Sequence, residues 1–192
     1  MIKTESFAQF VIKSANELRE WLEKNHSQTK GIWLITYKKQ EKEKYVSRGE
    51  VLDELICFGW IDGIRRKLDE ARTTQLITPR RAQHWAKTYK ERANRLIQAH
   101  KMAPAGFEAI KQGKESGLWN FMDDVDKLII PPDLKVALNQ LEGAFDFFDH
   151  INDSSKRFVL RWIKLAKTAK TRKSRIVKIA KLSSIGEKLP GS

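Results

Sequence analysis

The sequence predicts a helix-rich α+β fold: a small, mainly antiparallel sheet of about three strands within an N-terminal α-β-α-β-β-α unit, followed by an all-helical C-terminal part. The β-branched and aromatic runs all precede Pro79, helix-start signals flank those runs, and the periodicity beyond Pro131 is helical. At 192 residues with 41% hydrophobic side chains, the chain can bury a packed core. We place an α+β unit at 1–130, a basic helical region at 131–185 and a disordered tail at 186–192.

Local signals mark the first two helices. Ser14 is followed three residues on by Glu17, and Ser47 is followed in the same way by Glu50. Each such capping box satisfies unpaired backbone donors at a helix start. The first helix is predicted to end near residue 25, and the second at Gly59, which can adopt the left-handed conformation that stops a helix.

Three segments are predicted to be strands. The run 32–37 is apolar on both parities, which favours a central strand covered on both faces. Segments 60–67 and 72–78 are separated by a short polar stretch and are typical of a hairpin. A turn near residue 70 would place Asp62 opposite Thr78.

The segment after the hairpin is predicted to be helical. Thr78 is a candidate N-cap with Pro79 at the first helical position, a combination that favours a helix start. Thr88 and Glu91 form a third capping box, which predicts a break and a restart. Pro104 is predicted to begin another short helix.

Arginines at that predicted helix start raise the question of an anion site. Arg80 and Arg81 would oppose the helix dipole, so a negative group should compensate them. In one interpretation Asp62 is that counter-ion and its role is structural; in the other, free N–H groups and both arginines bind a small anionic ligand. The candidate ligand-binding residues are Trp60, Asp62, Arg65, Thr78, Arg80, Arg81 and Trp85. We expect binding rather than catalysis, and Asp62 is the one evident general base if the chain is an enzyme.

The net charge is +13 and the sequence pI is about 9.8, which favours a polyanionic partner. The stretch 154–182 contains eleven Lys and Arg residues and neither Asp nor Glu. It is either the solvated outer face of two ordinary helices or a surface for nucleic acid or another polyanion, with an anionic membrane surface as a further alternative. The candidate residues are Arg157, Arg161, Lys164, Lys167, Arg172, Lys173, Arg175 and Lys178.

Several other functions lack their usual sequence signals. The four histidines have no partners at metal-ligand spacing, and Cys57 is the one cysteine, so we expect neither a metal site nor a disulfide. No phosphate-binding loop, dinucleotide fingerprint or hydrolase nucleophile motif is present, and we expect no cofactor. The chain also has no apolar run long enough for a secretion signal or a membrane span, which predicts a cytoplasmic protein. The oligomeric state does not follow from the sequence.

Several motifs together resemble the YdeI/OmpD-associated family, also labelled bacteriocin-protection. They are Phe-Gly-Trp-Ile-Asp-Gly at 58–63, Thr-Pro-Arg-Arg at 78–81, Met-Ala-Pro-Ala-Gly at 102–106, and the basic helical stretches 158–167 and 171–176. The resemblance implies a small, mostly helical α+β protein of bacteria, linked by name to stress and bacteriocin protection, with no established reaction. After Trp85 the family commonly has Ser and then Asn, whereas Ala86 and Tyr89 stand here, and His100 replaces a Gly. If that Ser and Asn line a site, its polar chemistry is altered in this chain.

Overall fold

The structure is a computed structural model that describes residues 6–192. The chain divides into two compact units, Met1–Phe121 and Met122–Ser192. The division lies ahead of Pro131 and Pro132, where the sequence predicts a boundary. The strands lie in the first unit and helices make up the second, which confirms the predicted α+β class.

The sheet has four strands rather than about three, and it is mixed rather than purely antiparallel. The strands are β1 (Gln9–Val11), β2 (Ile32–Tyr37), β3 (Trp60–Lys67) and β4 (Arg72–Pro79), in the spatial order β1-β2-β4-β3. β1 pairs with β2 in parallel, while β4 pairs antiparallel with both β2 and β3. The predicted central position of β2 is therefore confirmed. β1 was not predicted, because three residues are too short a run to show a strand period.

Four longer helices complete the first unit: α1 (Ala15–Asn25), α2 (Arg48–Cys57), α3 (Lys87–Gln98) and α4 (Pro104–Glu115). The first two begin where the capping signals predict. Ser14 accepts a hydrogen bond from the backbone of Glu17 at 3.2 Å, and Ser47 and Glu50 form the full reciprocal box. Gly59 has φ +69° just beyond α2, which confirms its role as a left-handed stop.

One face of the sheet carries the core of this unit, and we call it the inner face. The β2–β4 register places Ile32 beside Ile77 and Leu34 beside Gln75, so these side chains share that face. Ile32, Leu34 and Ile77 belong to one buried cluster with residues of α1, α2 and α3, including Leu18, Leu22, Val51, Leu55, Ala93 and Leu96. The inner face is therefore where side chains from β3 and β4 meet those of the helices.

The predicted hairpin of β3 and β4 is present, but its register differs by one residue near the start of β3. Asp62 lies opposite Ile77, and Ile61, not Asp62, lies opposite Thr78. A β-bulge between Asp62 and Arg65 adds a residue to β3 and restores the expected pairing beyond it. Because Ile77 and Gln75 share a face, the bulge also keeps Asp62 and Arg65 together on the inner face.

The prediction of a helix that starts at Thr78 is wrong. β4 continues to Pro79, which pairs with Trp60, and residues 80–86 are irregular before α3 begins at Lys87. The predicted capping box at Thr88 is wrong as well, since the N-cap is Ala86 and has no side-chain cap. Pairing with β3 overrides the local helix-start signal, because a propensity is a weak preference beside a full strand ladder.

The second unit contains α5 (Asp123–Asp126), α6 (Pro132–Asn139), α7 (Ala144–His150), α8 (Asp153–Lys164) and α9 (Ala169–Ser184). Helix α9 contacts α6, α7 and α8, and so forms the centre of the unit. The unit has apolar side chains of its own that are buried: Leu134, Leu138, Phe148, Val159, Leu160, Ile163, Ile176, Ile179 and Leu189. Leu189 belongs to the segment 186–192 that the sequence predicts to be disordered.

Candidate functional site

Asp62 is half-buried on the inner face, and both of its carboxylate oxygens accept hydrogen bonds from side chains. Oδ1 accepts from the Tyr89 hydroxyl, and Oδ2 accepts from Nε2 of Gln75 at 3.2 Å. Burial is the main cause that raises the pKa of Tyr89 above its ordinary value. The hydrogen bond from Tyr89 to Asp62 and the charge of Asp62 raise it further, so the tyrosine remains a donor. The carboxylate is thus engaged within the protein, which favours a positioning role over that of a free general base.

Arg80 follows β4 directly and its guanidinium lies against two aromatic rings. The Cζ atom is 3.9 Å from the Trp85 ring centre and 5.3 Å from that of Tyr89. Nη1 donates to the carbonyls of Gln83 and His84 at 3.4 and 3.5 Å. Nε is buried and has no hydrogen-bond partner among the residues that the structure describes.

Burial lowers the pKa of Arg80 to about 10, against the opposing effects of Tyr89 and Asp62. Within residues 6–192, Arg80 and Asp62 do not form an ion pair. The two charges are instead linked through Tyr89, whose hydroxyl binds the carboxylate and whose ring faces the guanidinium. The predicted counter-ion relation is therefore indirect.

Arg65 shares the inner face but has different neighbours. Nη2 donates to the hydroxyl of Thr73 at 2.8 Å and to that of Thr36 at 3.4 Å, while Nη1 is buried without a partner among the described residues. Burial, and after it the charge of Arg48, lowers the pKa of Arg65. Arg65 is thus a second cation on this face that lacks a carboxylate partner in the described part of the chain.

The remaining predicted ligand residues separate into two groups. Trp60 and Trp85 are each 1% exposed and belong to the core, and Trp60 Nε1 donates to the carbonyl of His26 at 3.0 Å. Thr78 and Arg81 lie elsewhere, in the lining of a groove of about 800 Å³, where Arg81 Nη2 donates to the carbonyl of Thr29 at 2.8 Å. Arg80 and Arg81, adjacent in sequence, therefore have different surroundings.

Four polar residues of this arrangement were not predicted from the sequence. Gln75, which is 7% exposed, binds Asp62, and Thr36, which is 2% exposed, binds Arg65 together with Thr73. Tyr89 was singled out as a departure from a family pattern and was not assigned to the site. Alternation along β4 could have placed Gln75 and Thr73 on the face of Ile77, but nothing local places Tyr89 of α3 beside Asp62.

No group of three or more His, Cys, Asp or Glu side chains that could hold a metal ion occurs among residues 6–192. Cys57 is buried, and burial followed by the charge of Glu54 raises the pKa of its thiol to about 11. A thiol in that state is a poor nucleophile at neutral pH.

The basic C-terminal residues divide into paired and unpaired cations. Arg157 lies 3.2 Å from Asp153, Arg172 lies 2.7 Å from Asp133, and Lys164 pairs with Asp124. Arg175 stacks on Trp162 and donates to its carbonyl. Arg161 is exposed. Arg157, Arg172 and Arg175 thus each have a structural partner within the second unit.

The exposed lysines of α9 form a different set. Lys170, Lys173, Lys178 and Lys181 project within about 140° of the helix circumference, and we call them the lysine face. Buried Ile176, Ile179 and Ser183 lie on the other side of the helix. All four lysines are exposed, and none forms an ion pair in the described part of the chain. Lys167, just before α9, is also exposed and unpaired there.

Comparison with known families gives two matches. Residues 10–109 match a family described as "Domain of unknown function (DUF8412)", and residues 127–186 match "Bacteriocin-protection, YdeI or OmpD-Associated". The chain belongs to the DUF8412 family and carries a YdeI/OmpD-associated domain. No curated protein and no solved structure matches it.

The two matched segments contain different candidate sites. The DUF8412 part contains Asp62, Arg65, Arg80 and Tyr89, together with the motifs at 58–63 and 78–81 that resemble those of YdeI/OmpD-associated proteins. The YdeI/OmpD-associated domain contains α6 to α9, and with them the lysine face. Among the described residues of this DUF8412 protein, no helix combines the length and apolarity needed to span a membrane.

Proposed function

We propose that this YdeI/OmpD-associated protein is a binding protein whose second unit engages a polyanion, nucleic acid first of all, through the lysine face of α9. The single observation behind the proposal is that four exposed lysines share one side of a helix and lack carboxylate partners among the described residues. Along the helix they span about 16 Å. Closely spaced cations without acids are typical of surfaces that neutralise several phosphates at once.

The position of the lysine face on α9 supports the same conclusion. The first turn of α9 contains no acidic residue, and Lys170 lies in that turn, where a cation opposes the helix dipole. Thr168 caps one backbone donor by accepting from Thr171 at 3.1 Å. The positive potential of this helix end and of the lysine face would both be relieved by a phosphate-rich partner.

The paired cations supply a contrast within the same unit. Arg172 and Lys164 bind Asp133 and Asp124, and so hold α9 and α8 to neighbouring segments of the unit. Neutralising those residues would break these contacts. The lysine face can be neutralised without breaking a described contact, which makes the proposal testable by substitution.

The test is fluorescence anisotropy of labelled duplex DNA and RNA titrated with the full chain at several salt concentrations. In the variant, Lys170, Lys173, Lys178 and Lys181 are replaced by Gln. The control replaces four exposed lysines of the first unit, Lys24, Lys30, Lys39 and Lys42, so that the net charge changes equally. We expect binding with a steep salt dependence, and a slope reduced by about three to four in the α9 variant alone.

Two results would overturn the proposal. Equal losses in both variants would show that the overall charge of the chain, and not the lysine face, attracts the nucleic acid. Absence of binding to DNA and RNA, with salt-sensitive sedimentation of the chain on vesicles of anionic lipid that the α9 variant abolishes, would assign the face to a membrane surface.

A further inference from the structure

Arg80, like Arg65, differs from the other partly buried arginines of the first unit in lacking a carboxylate partner among the described residues, but Nη2 of Arg65 is taken up by two threonine hydroxyls. Arg19 lies 3.0 Å from Glu54, and Arg92 lies 2.6 Å from Asp53. Arg80 forms no ion pair among the described residues, and both oxygens of the nearby Asp62 are occupied by Tyr89 and Gln75. A desolvated cation without a partner is costly, so a compensating negative group is expected.

The guanidinium of Arg80 is held in a fixed orientation. The Cζ atom of Arg80 lies 3.9 Å from the ring centre of Trp85, which is itself 1% exposed, and the Arg80 backbone N–H donates to the carbonyl of Gly59 at 2.9 Å. Two carbonyls accept from Nη1 at 3.4 and 3.5 Å. Binding to a donor that is already oriented loses little conformational entropy, which increases affinity.

The three guanidinium nitrogens of Arg80 differ in their hydrogen bonds. Nη1 has its two long hydrogen bonds and Nε is buried. Nη2 has no hydrogen-bond partner among residues 6–192, and it is not among their fully buried unpaired atoms, so some of its surface is accessible. Nη2 is thus a charged donor that is neither fully buried nor hydrogen-bonded, on a guanidinium that is otherwise largely desolvated.

From these contacts we propose that Arg80 binds an oxyanion, the carboxylate or phosphoryl group of a small ligand, through Nη2. The site differs from the one that the sequence predicted, because no helix begins at Thr78 and Arg81 donates to the carbonyl of Thr29. It is also independent of the lysine face of α9. Tyr89 contributes by holding Asp62, so that this carboxylate does not take the place of the ligand.

The test is calorimetric titration of the full chain with inorganic phosphate and, separately, with succinate. Arg80→Gln removes the charged donor, whereas Arg81→Gln changes the net charge equally at the neighbouring position and serves as the matched control. We expect at least one of the two anions to bind at millimolar concentration, with affinity about tenfold lower in Arg80→Gln and unchanged in Arg81→Gln. A preference for one anion identifies the ligand group.

A second measurement keeps the proposal falsifiable if Arg80→Gln fails to fold. In the wild-type chain labelled with ¹⁵N, the indole signal of Trp85 should shift as the anion is added, and it should shift equally in the variant with four α9 lysines replaced. Failure of both anions to bind, or equal loss of affinity in Arg80→Gln and Arg81→Gln, would overturn the proposal. Loss of nucleic-acid binding in the α9 variant would leave the Arg80 site unaffected, so the two proposals fail separately.

Discussion

Gly106 lies at a close contact between two helices of the first unit. It lies in α4, and a Cβ added there would come within 2.3 Å of both the Cys57 carbonyl oxygen and the Met102 sulfur. The sulfur ends a flexible side chain and can move, but the carbonyl belongs to the backbone of α2. Helices α2 and α4 can therefore approach this closely only with glycine at the contact.

We predict that Gly106→Ala destabilises the chain by at least about 1–3 kcal/mol, the usual cost of overpacking a core, although alanine is the better helix former. Chemical denaturation followed by circular dichroism measures the change. The control is Gly49→Ala in α2, where an added Cβ would meet Arg92 at an ordinary 3.6 Å. If the Gly106→Ala variant is as stable as the Gly49→Ala variant, the inference that α2 and α4 need glycine at their contact is wrong.

Arg80 and Arg81 show how adjacent residues of one type acquire different chemistry. Arg80 is stacked on Trp85 and largely desolvated, whereas Arg81 donates to the Thr29 carbonyl and lines the groove near Thr78. Their charges are identical in the sequence. Burial distinguishes them, because the guanidinium of Arg80 is largely desolvated and desolvation lowers its pKa.

At the scale of elements, the pair of Asp133 and Arg172 joins α6 to α9. Nε and Nη2 of Arg172 donate to the two carboxylate oxygens at 2.7 and 2.9 Å. This hydrogen-bonded pair lowers the pKa of Asp133 below its usual value. The side chains are 47% and 33% exposed, so solvent screens the pair and its contribution is that of a good surface ion pair.

We predict that Asp133→Asn lowers the free energy of unfolding at neutral pH by about 0.5–1 kcal/mol. Because the folded-state pKa of Asp133 is depressed, the contribution is complete above the unfolded-state value of about 4 and is lost as pH falls through the folded-state pKa. Urea denaturation at neutral and acidic pH should show wild type and variant converging in acid. Glu142→Gln, a change at an exposed carboxylate, is the control. A stability difference that persists unchanged at low pH would contradict the assignment.

For the whole molecule, the division at Phe121 and Met122 makes the second unit a candidate for independent folding. Its helices bury apolar side chains of their own, among them Leu138, Phe148 and Ile179. Domains of this size have small cores and therefore low stability.

We predict that the fragment 122–192, expressed alone, is helical and unfolds cooperatively with a stability of about 3–5 kcal/mol. Circular dichroism during thermal and urea unfolding measures both properties. A fragment that begins at residue 144 and lacks α5 and α6 is the control, and it should be less helical and less cooperative. Noncooperative melting of 122–192 would show that the first unit is needed for its fold.

The sequence by itself determined the features that depend on neighbouring residues. Ser47 with Glu50 predicted the start of α2, Gly59 predicted its stop, and the run 32–37 predicted β2, because caps, left-handed glycines and strand periods act over a few positions. The acid-free stretch 154–182 likewise predicted a basic helical surface.

Only the tertiary structure decided which distant residues meet. β1 exists because it pairs in parallel with β2, the ladder with β3 extends β4 through Pro79 in place of a helix, and Tyr89 reaches Asp62 from α3. The physical reason is common to all three. Strand pairing, burial and desolvation depend on contacts between segments far apart in the chain, and these contacts override local preference wherever the two disagree.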